Sequence, residues 1–197
     1  MEPAKVAFEA RRYAEAIRLY DVMAEKYPHS ATVRVWRAEA TLYRFKLSDG
    51  MKLYVQAASE ALPFYRAAER IHEQGCRLPD EPQYYLRMGA AYAHLRKGDA
   101  PSALAQLNKA RKEFPDSAEV TYTLARANCV VNDVDACARH FAETLRIARE
   151  HRRPIFLRTH RSMAEWVRRS KTQTEFVPLR SDPRYSQIVE DARAAED

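Results

Sequence analysis

The chain has 197 residues, 46% of them apolar and 30% charged, with a formal net charge of +6. That balance fits a folded protein, and the length suits one domain or a short array of stacked units. Only Gly50, Gly75, Gly89 and Gly98 are glycines and no stretch approaches an uncharged span of membrane length, so phosphate-cradling folds and membrane-spanning folds lose their ground.

Apolar residues recur at helical spacing from end to end, and strict alternation is almost absent. Met1-Glu2-Pro3-Ala4-Lys5 lacks the basic and apolar regions of a secretory leader. The first predicted element is a short helix over about 3 to 10. Ala16, Ile17, Tyr20 and Met23 form the stripe of the next, which Pro28 closes. A third helix follows, and from Ala38 to Ala61 the chain runs 23 residues where 12 are expected. This insertion near 46–60 either lengthens helices or builds a projecting loop, and a plain tolerated insertion outweighs a binding loop. Pro63 falls inside a helical pattern and predicts a kink or break. Pro79 and Pro115 are read as helix ends, and Pro82, Pro154 and Pro183 as first-turn positions. Ala103, Leu104, Leu107 and Ala110 form one later stripe, and Cys137, Phe141, Leu145 and Ala148 another.

These two stripes are one period apart. Ala103, Leu107 and Ala110 map onto Cys137, Phe141 and Thr144 in steps of 34 residues, and the distances from Ala16 to Pro28 and from Ala103 to Pro115 are both 12. A fixed period of 34 with paired helices is the signature of the tetratricopeptide repeat, and the sequence resembles that family. Ala16, Tyr20 and Pro28 match its second-helix pattern, as do Ala103, Leu107, Ala110 and Pro115, with Ala61, Tyr65 and Ala68 as a third instance. On first helices, Leu124-Ala125 resembles the family's Leu-Gly pair. Either Met88-Gly89 with Tyr92, given two inserted residues, or Ala90-Ala91 stands in that place one repeat earlier.

The resemblance implies an all-α, right-handed helical solenoid of about four helix pairs, nine or ten helices in all, with a C-terminal capping helix. A single repeat domain over 1–197 would divide into a partial first repeat (1–30), a second with the insertion (31–79), a third (80–115), a fourth (116–153) and capping helices (154–197). Phe176 to Tyr185 resembles the closing segment often found after such repeats. There Ser181 or Asp182 caps a last helix begun by Pro183, and Ile188 and Val189 face inward.

By the same resemblance, first helices line a concave groove. Its positions are Thr32, Val35, Glu39 and Leu42, then Tyr85, Met88, Tyr92 and Leu95, then Glu119, Tyr122, Arg126 and Cys129. Tyrosine, methionine and arginine are favoured where proteins meet. If the alternative register holds, Tyr85 or Tyr92 is core instead. Groove lysines and asparagines that grip chaperone C-termini are missing, since Val35, Glu39, Met88 and Tyr92 stand in their places.

From Arg139 to Arg180 there are 11 lysines and arginines against four acids, an excess of seven that exceeds the net charge of the whole chain. Arg146, Arg149, Arg152, Arg153, Arg161, Arg168 and Arg169 form a candidate anion-binding patch, and Trp166 beside it is read as core. No helical zinc spacing, calcium loop or nucleophile elbow is present, so no catalytic residue, metal ligand or cofactor is assigned and the chain is read as a non-enzyme. Cys76, Cys129 and Cys137 have no C-x-x-C spacing and are read as buried, reduced thiols. The expected function is a cytoplasmic scaffold or adaptor, chaperone-like at the level of fold, that holds an acidic or other protein segment in its groove. Binding of nucleic acid or an anionic membrane through 139–180, or homo-oligomer formation, is the alternative.

Overall fold

The computed structural model describes residues 2–46, 49–150 and 161–194. Among them are eleven α-helices and no strand: α1 (Glu2–Glu9), α2 (Tyr13–Lys26), α3 (Ala31–Tyr43), α4 (Met51–Glu73), α5 (Asp80–Arg96), α6 (Ala100–Glu113), α7 (Ala118–Val130), α8 (Val134–Arg149), α9 (Met163–Thr172), α10 (Val177–Arg180) and α11 (Arg184–Ala194). A 3-10 turn, Thr174–Phe176, precedes α10. The fold is all-α and of the tetratricopeptide-like helical-repeat type. Its count exceeds nine or ten because the closing segment breaks into α9, the 3-10 turn, α10 and α11.

Helix starts follow side-chain chemistry. Ser30, Ser117, Asp133 and Ser162 accept the amides of Val33, Val120, Ala136 and Glu165, satisfying donors that a first turn leaves unpaired. The turns between helices repeat as well. Arg11, Gly98 and Asn132 all take positive φ, and each stands five residues before the small residue of the following helix (Ala16, Ala103 and Cys137). Gly98 and Asn132 are themselves 34 apart, so the period extends to the backbone hand of the turn. Of the prolines, Pro28 and Pro115 follow helix ends, whereas Pro79 is the residue before α5 rather than a closing one. The α4 helix continues through Pro63 without a break. The insertion is mostly helix, because α4 begins at Met51 and carries extra turns ahead of Ala61, while residues 47 and 48 lie outside the described residues.

The chain divides into two compact units, Met1–Asp99 and Ala100–Asp197. In the first, α3 is sandwiched. Val33, Trp36 and Ala40 pack with Ala4, Ala7, Ala16 and Tyr20, while Val35, Ala38 and Leu42 pack with Ala61, Tyr65, Leu86 and Ala90. Alanines at the crossings let helix axes approach, and tyrosines fill the space between. In the second unit Tyr122, Phe141 and Leu145 meet Trp166, Phe176, Leu179, Tyr185 and Val189 from the closing segment, with Ile188 half-buried against them. Asp182 accepts the Arg184 amide at the start of α11.

The cysteines correct the sequence reading. Cys129 and Cys137 form a disulfide with their Cα atoms 5.3 Å apart, and Cys76 is exposed. The eight-residue separation spans the turn between α7 and α8, which folds the two positions against each other without any C-x-x-C spacing. Reduction is expected to lower stability by about 2 to 3 kcal/mol, the chain-entropy value for so short a closed loop. A thermal melt with and without dithiothreitol measures it; coincident melts would mean that the crosslink contributes nothing.

Candidate partner-binding surface

The positions assigned to the groove fall into two classes. Val35, Leu42, Met88 and Tyr122 are core residues and offer no surface, and Glu39 is only 1% exposed. The reason is geometric: on α3, the stripe of Val35, Glu39 and Leu42 faces α4 and α5, the seam that successive helices close. Tyr85 and Tyr92 are half-buried at the edge of that seam, and Arg126 is half-buried beside the closing segment.

The seam is tightest at Gly89. A Cβ there would stand 2.6 Å from Cζ of Tyr65 and closer still to the Tyr65 hydroxyl and Oε1 of Glu39. Gly89 is therefore the point on α5 where only a residue without a Cβ fits against α3 and α4. Tyr65 donates its hydroxyl proton to Glu39 Oε1 at 2.5 Å, and the second carboxyl oxygen is buried without a partner. Burial pushes the Glu39 carboxyl up to about 8, against the opposing pull of the Tyr65 hydrogen bond and the Arg96 charge.

Beside the seam runs a continuous aromatic band that the sequence did not reveal. Tyr85 lies 5.1 Å from Trp36, Trp36 lies 5.6 Å from Phe8, Phe8 lies 5.6 Å from Tyr13, and Tyr13 lies 6.5 Å from Tyr43, all between ring centroids. The Arg96 guanidinium continues it, 5.8 Å from the Tyr43 ring and 4.0 Å from that of Tyr54. Tyr43 is 37% exposed, and Phe8, Tyr13, Tyr54, Tyr85 and Tyr92 are half-buried. Trp36 and Tyr43, like Tyr85 and Tyr92, are seven residues apart, two helical turns on one stripe. That spacing is a signal available in the sequence.

Residues 83–117, from within α5 to just beyond α6, match the family model of the tetratricopeptide repeat. The chain carries a tetratricopeptide repeat. A comparison with curated proteins finds no significant match.

The second unit of the repeat protein uses the corresponding face of α7 differently, because its own closing segment covers it. Tyr122 donates to the Gln173 side chain at 2.8 Å and packs 4.6 Å from Trp166 and 5.1 Å from Phe176. Arg126 pairs with Glu175, and Arg161 pairs with Glu119. Burial raises the Glu175 carboxyl pKa, and the Arg126 charge and hydrogen bond outweigh it, leaving the net shift downward. Arg169 lies 5.4 Å over the Tyr122 ring and 5.2 Å over Trp166. The basic patch is thereby partly spent inside the unit, with Arg146 also paired to Glu150. Arg168 is exposed and Arg149 half-exposed, while Arg152 and Arg153 lie outside the described residues. Among the described residues, no helix is long and apolar enough to cross a membrane.

Proposed function

We propose that this repeat protein is a binding scaffold whose partner segment lies along the aromatic band of the first unit. The observation that carries the reading is the contrast between the two units. The α7 face is covered by the chain's own residues 161–180, whereas the band from Tyr85 to Tyr54 keeps partly exposed rings in contact with one another. Rigid aromatic side chains lose little entropy on binding and supply much of the energy at protein interfaces. An adaptor or assembly role follows from such a surface, with no chemistry required of it.

The ion pairs of Arg126, Arg146 and Arg161 leave less free charge for the nucleic-acid or membrane alternative than the sequence count suggests. The Cys129–Cys137 disulfide favours an oxidising compartment over the cytoplasm.

The test is capture of partners from native lysate at low and moderate salt, with the Tyr85→Ala/Tyr92→Ala variant in parallel. A discrete protein held at both salts, and weakened on the order of thirtyfold or more by the double substitution, is expected for aromatic anchors. Retention of only salt-labile nucleic acid or lipid, indifferent to Tyr85 and Tyr92, would move the function to the basic residues. A concentration series in analytical ultracentrifugation separates a scaffold from a self-associating chain.

A further inference from the structure

We propose that Arg96 is the anion-reading point of this surface, a guanidinium held by Tyr43 and Tyr54 that takes an aspartate or glutamate carboxylate from the partner segment. The inference rests on the docking reading above and adds the chemistry of the occupant.

Three observations carry it. First, Arg96 carries no ion pair among the described residues, a condition it shares with Arg34, Arg169 and Arg180. Arg37, Arg44, Arg87, Arg111, Arg126 and Arg161 each hold a carboxylate. Second, it is already positioned. One N–H of the guanidinium is given to the carbonyl of Leu42 near the end of α3, and its central carbon lies over the Tyr54 ring, 4.0 Å from the centroid. A half-buried guanidinium fixed in this way has lost its side-chain freedom before any ligand arrives, and its fork suits a carboxylate. Third, the plate beneath it comes from the insertion. Tyr54 stands on the extra turns of α4, and Met51, 62% exposed, lies one turn before it. The added helix thus supplies one aromatic face to the arginine and an exposed apolar side chain alongside.

The one buried acid that senses Arg96 does not neutralise it. The Glu39 carboxyl, buried and bonded to Tyr65, holds its proton at neutral pH. The charge of Arg96 is left for an external partner, and the exposed rings around it favour an acidic residue flanked by apolar ones.

A random-peptide display library panned on the immobilised full chain tests this, because it requires no identified partner. Peptides selected by the wild-type chain are expected to be enriched in aspartate or glutamate next to apolar residues. Changing that acid to its amide in a synthesised peptide is expected to weaken binding tenfold to a hundredfold, on the order of one charged hydrogen-bonded pair. In the Arg96→Lys chain, checked for an unchanged melt, the acid and amide peptides should bind within about threefold of each other, since lysine offers no planar fork. Tyr85→Ala should weaken both peptides alike. Equal binding of the acid and amide peptides to the wild-type chain would overturn the role of Arg96 and leave the aromatic docking surface intact. A library that yields no binder dependent on Tyr85 or Tyr92 removes the docking surface and this inference together.

Discussion

Gly89→Ala is expected to cost about 3 kcal/mol or more, at the upper end of what overpacking a core usually does. The added methyl would overlap the Tyr65 hydroxyl and Glu39 Oε1 and stand 2.6 Å from the Tyr65 ring carbon. Neither neighbour is the free end of a flexible chain. Both are buried and bonded to each other, so relief requires breaking that bond or moving α4 away from α5. A buried carboxyl left without its donor adds a desolvation penalty to the steric one. Gly98→Ala is the control, because its Cβ would meet nothing and only its positive φ resists, a cost of about 1 kcal/mol. Urea unfolding of the two variants measures the difference. A Gly89→Ala chain as stable as Gly98→Ala would show that the seam between α3, α4 and α5 is looser than its geometry states.

Glu39→Gln is expected to stabilise the protein in alkaline solution and to change little near pH 5. In the unfolded chain this carboxyl titrates near 4.5, while in the fold burial raises it to about 8. Between those values the folded chain holds a proton that the unfolded chain has lost. Stability from this group is therefore full below about pH 4.5, declines as pH rises to about 8, and levels off beyond. At about 1.4 kcal/mol for each pH unit separating the folded and unfolded titrations, the loss reaches a few kcal/mol. Glutamine keeps an acceptor for the Tyr65 hydroxyl and does not titrate. The gap between variant and wild type should accordingly open from pH 5 to pH 8 and then stay constant. Stability curves that run parallel across that window would mean that Glu39 is solvated or ionised within the fold.

These two residues also mark where the sequence stops being informative. Gly89 is one of two candidates for the small position of its helix, and periodicity alone does not distinguish a glycine from a neighbouring alanine pair. The tertiary crossing adds that a Cβ at Gly89 would collide with Tyr65 of α4 and Glu39 of α3, a constraint no spacing reveals. A first-helix register puts Glu39 in a groove. The register is transferable, but the cover that α4 and α5 lay over it is not. Tyr122 and Arg126 leave the groove for the same reason, under a closing segment whose rings pack back onto α7. Trp166 is core in both readings, since a large indole on a helical stripe is seldom left in solvent.

The sequence by itself determined the helical class, the 34-residue period, the small and large positions of the second helices, the closing segment and the site of the insertion. All of these are local or periodic, set by side-chain size, capping and turn chemistry within a few residues of one another. The tertiary structure alone decided the rest. It joined Cys129 to Cys137 across a turn, buried Val35, Leu42 and Met88 in seams, and gathered rings from α1, α2, α3, α4 and α5 into one band. It also left Arg96 as a cation without an acidic partner among the described residues. Which faces of neighbouring helices meet depends on crossing angle and helix length, and the extra turns of α4 changed both the length and the company that Arg96 keeps.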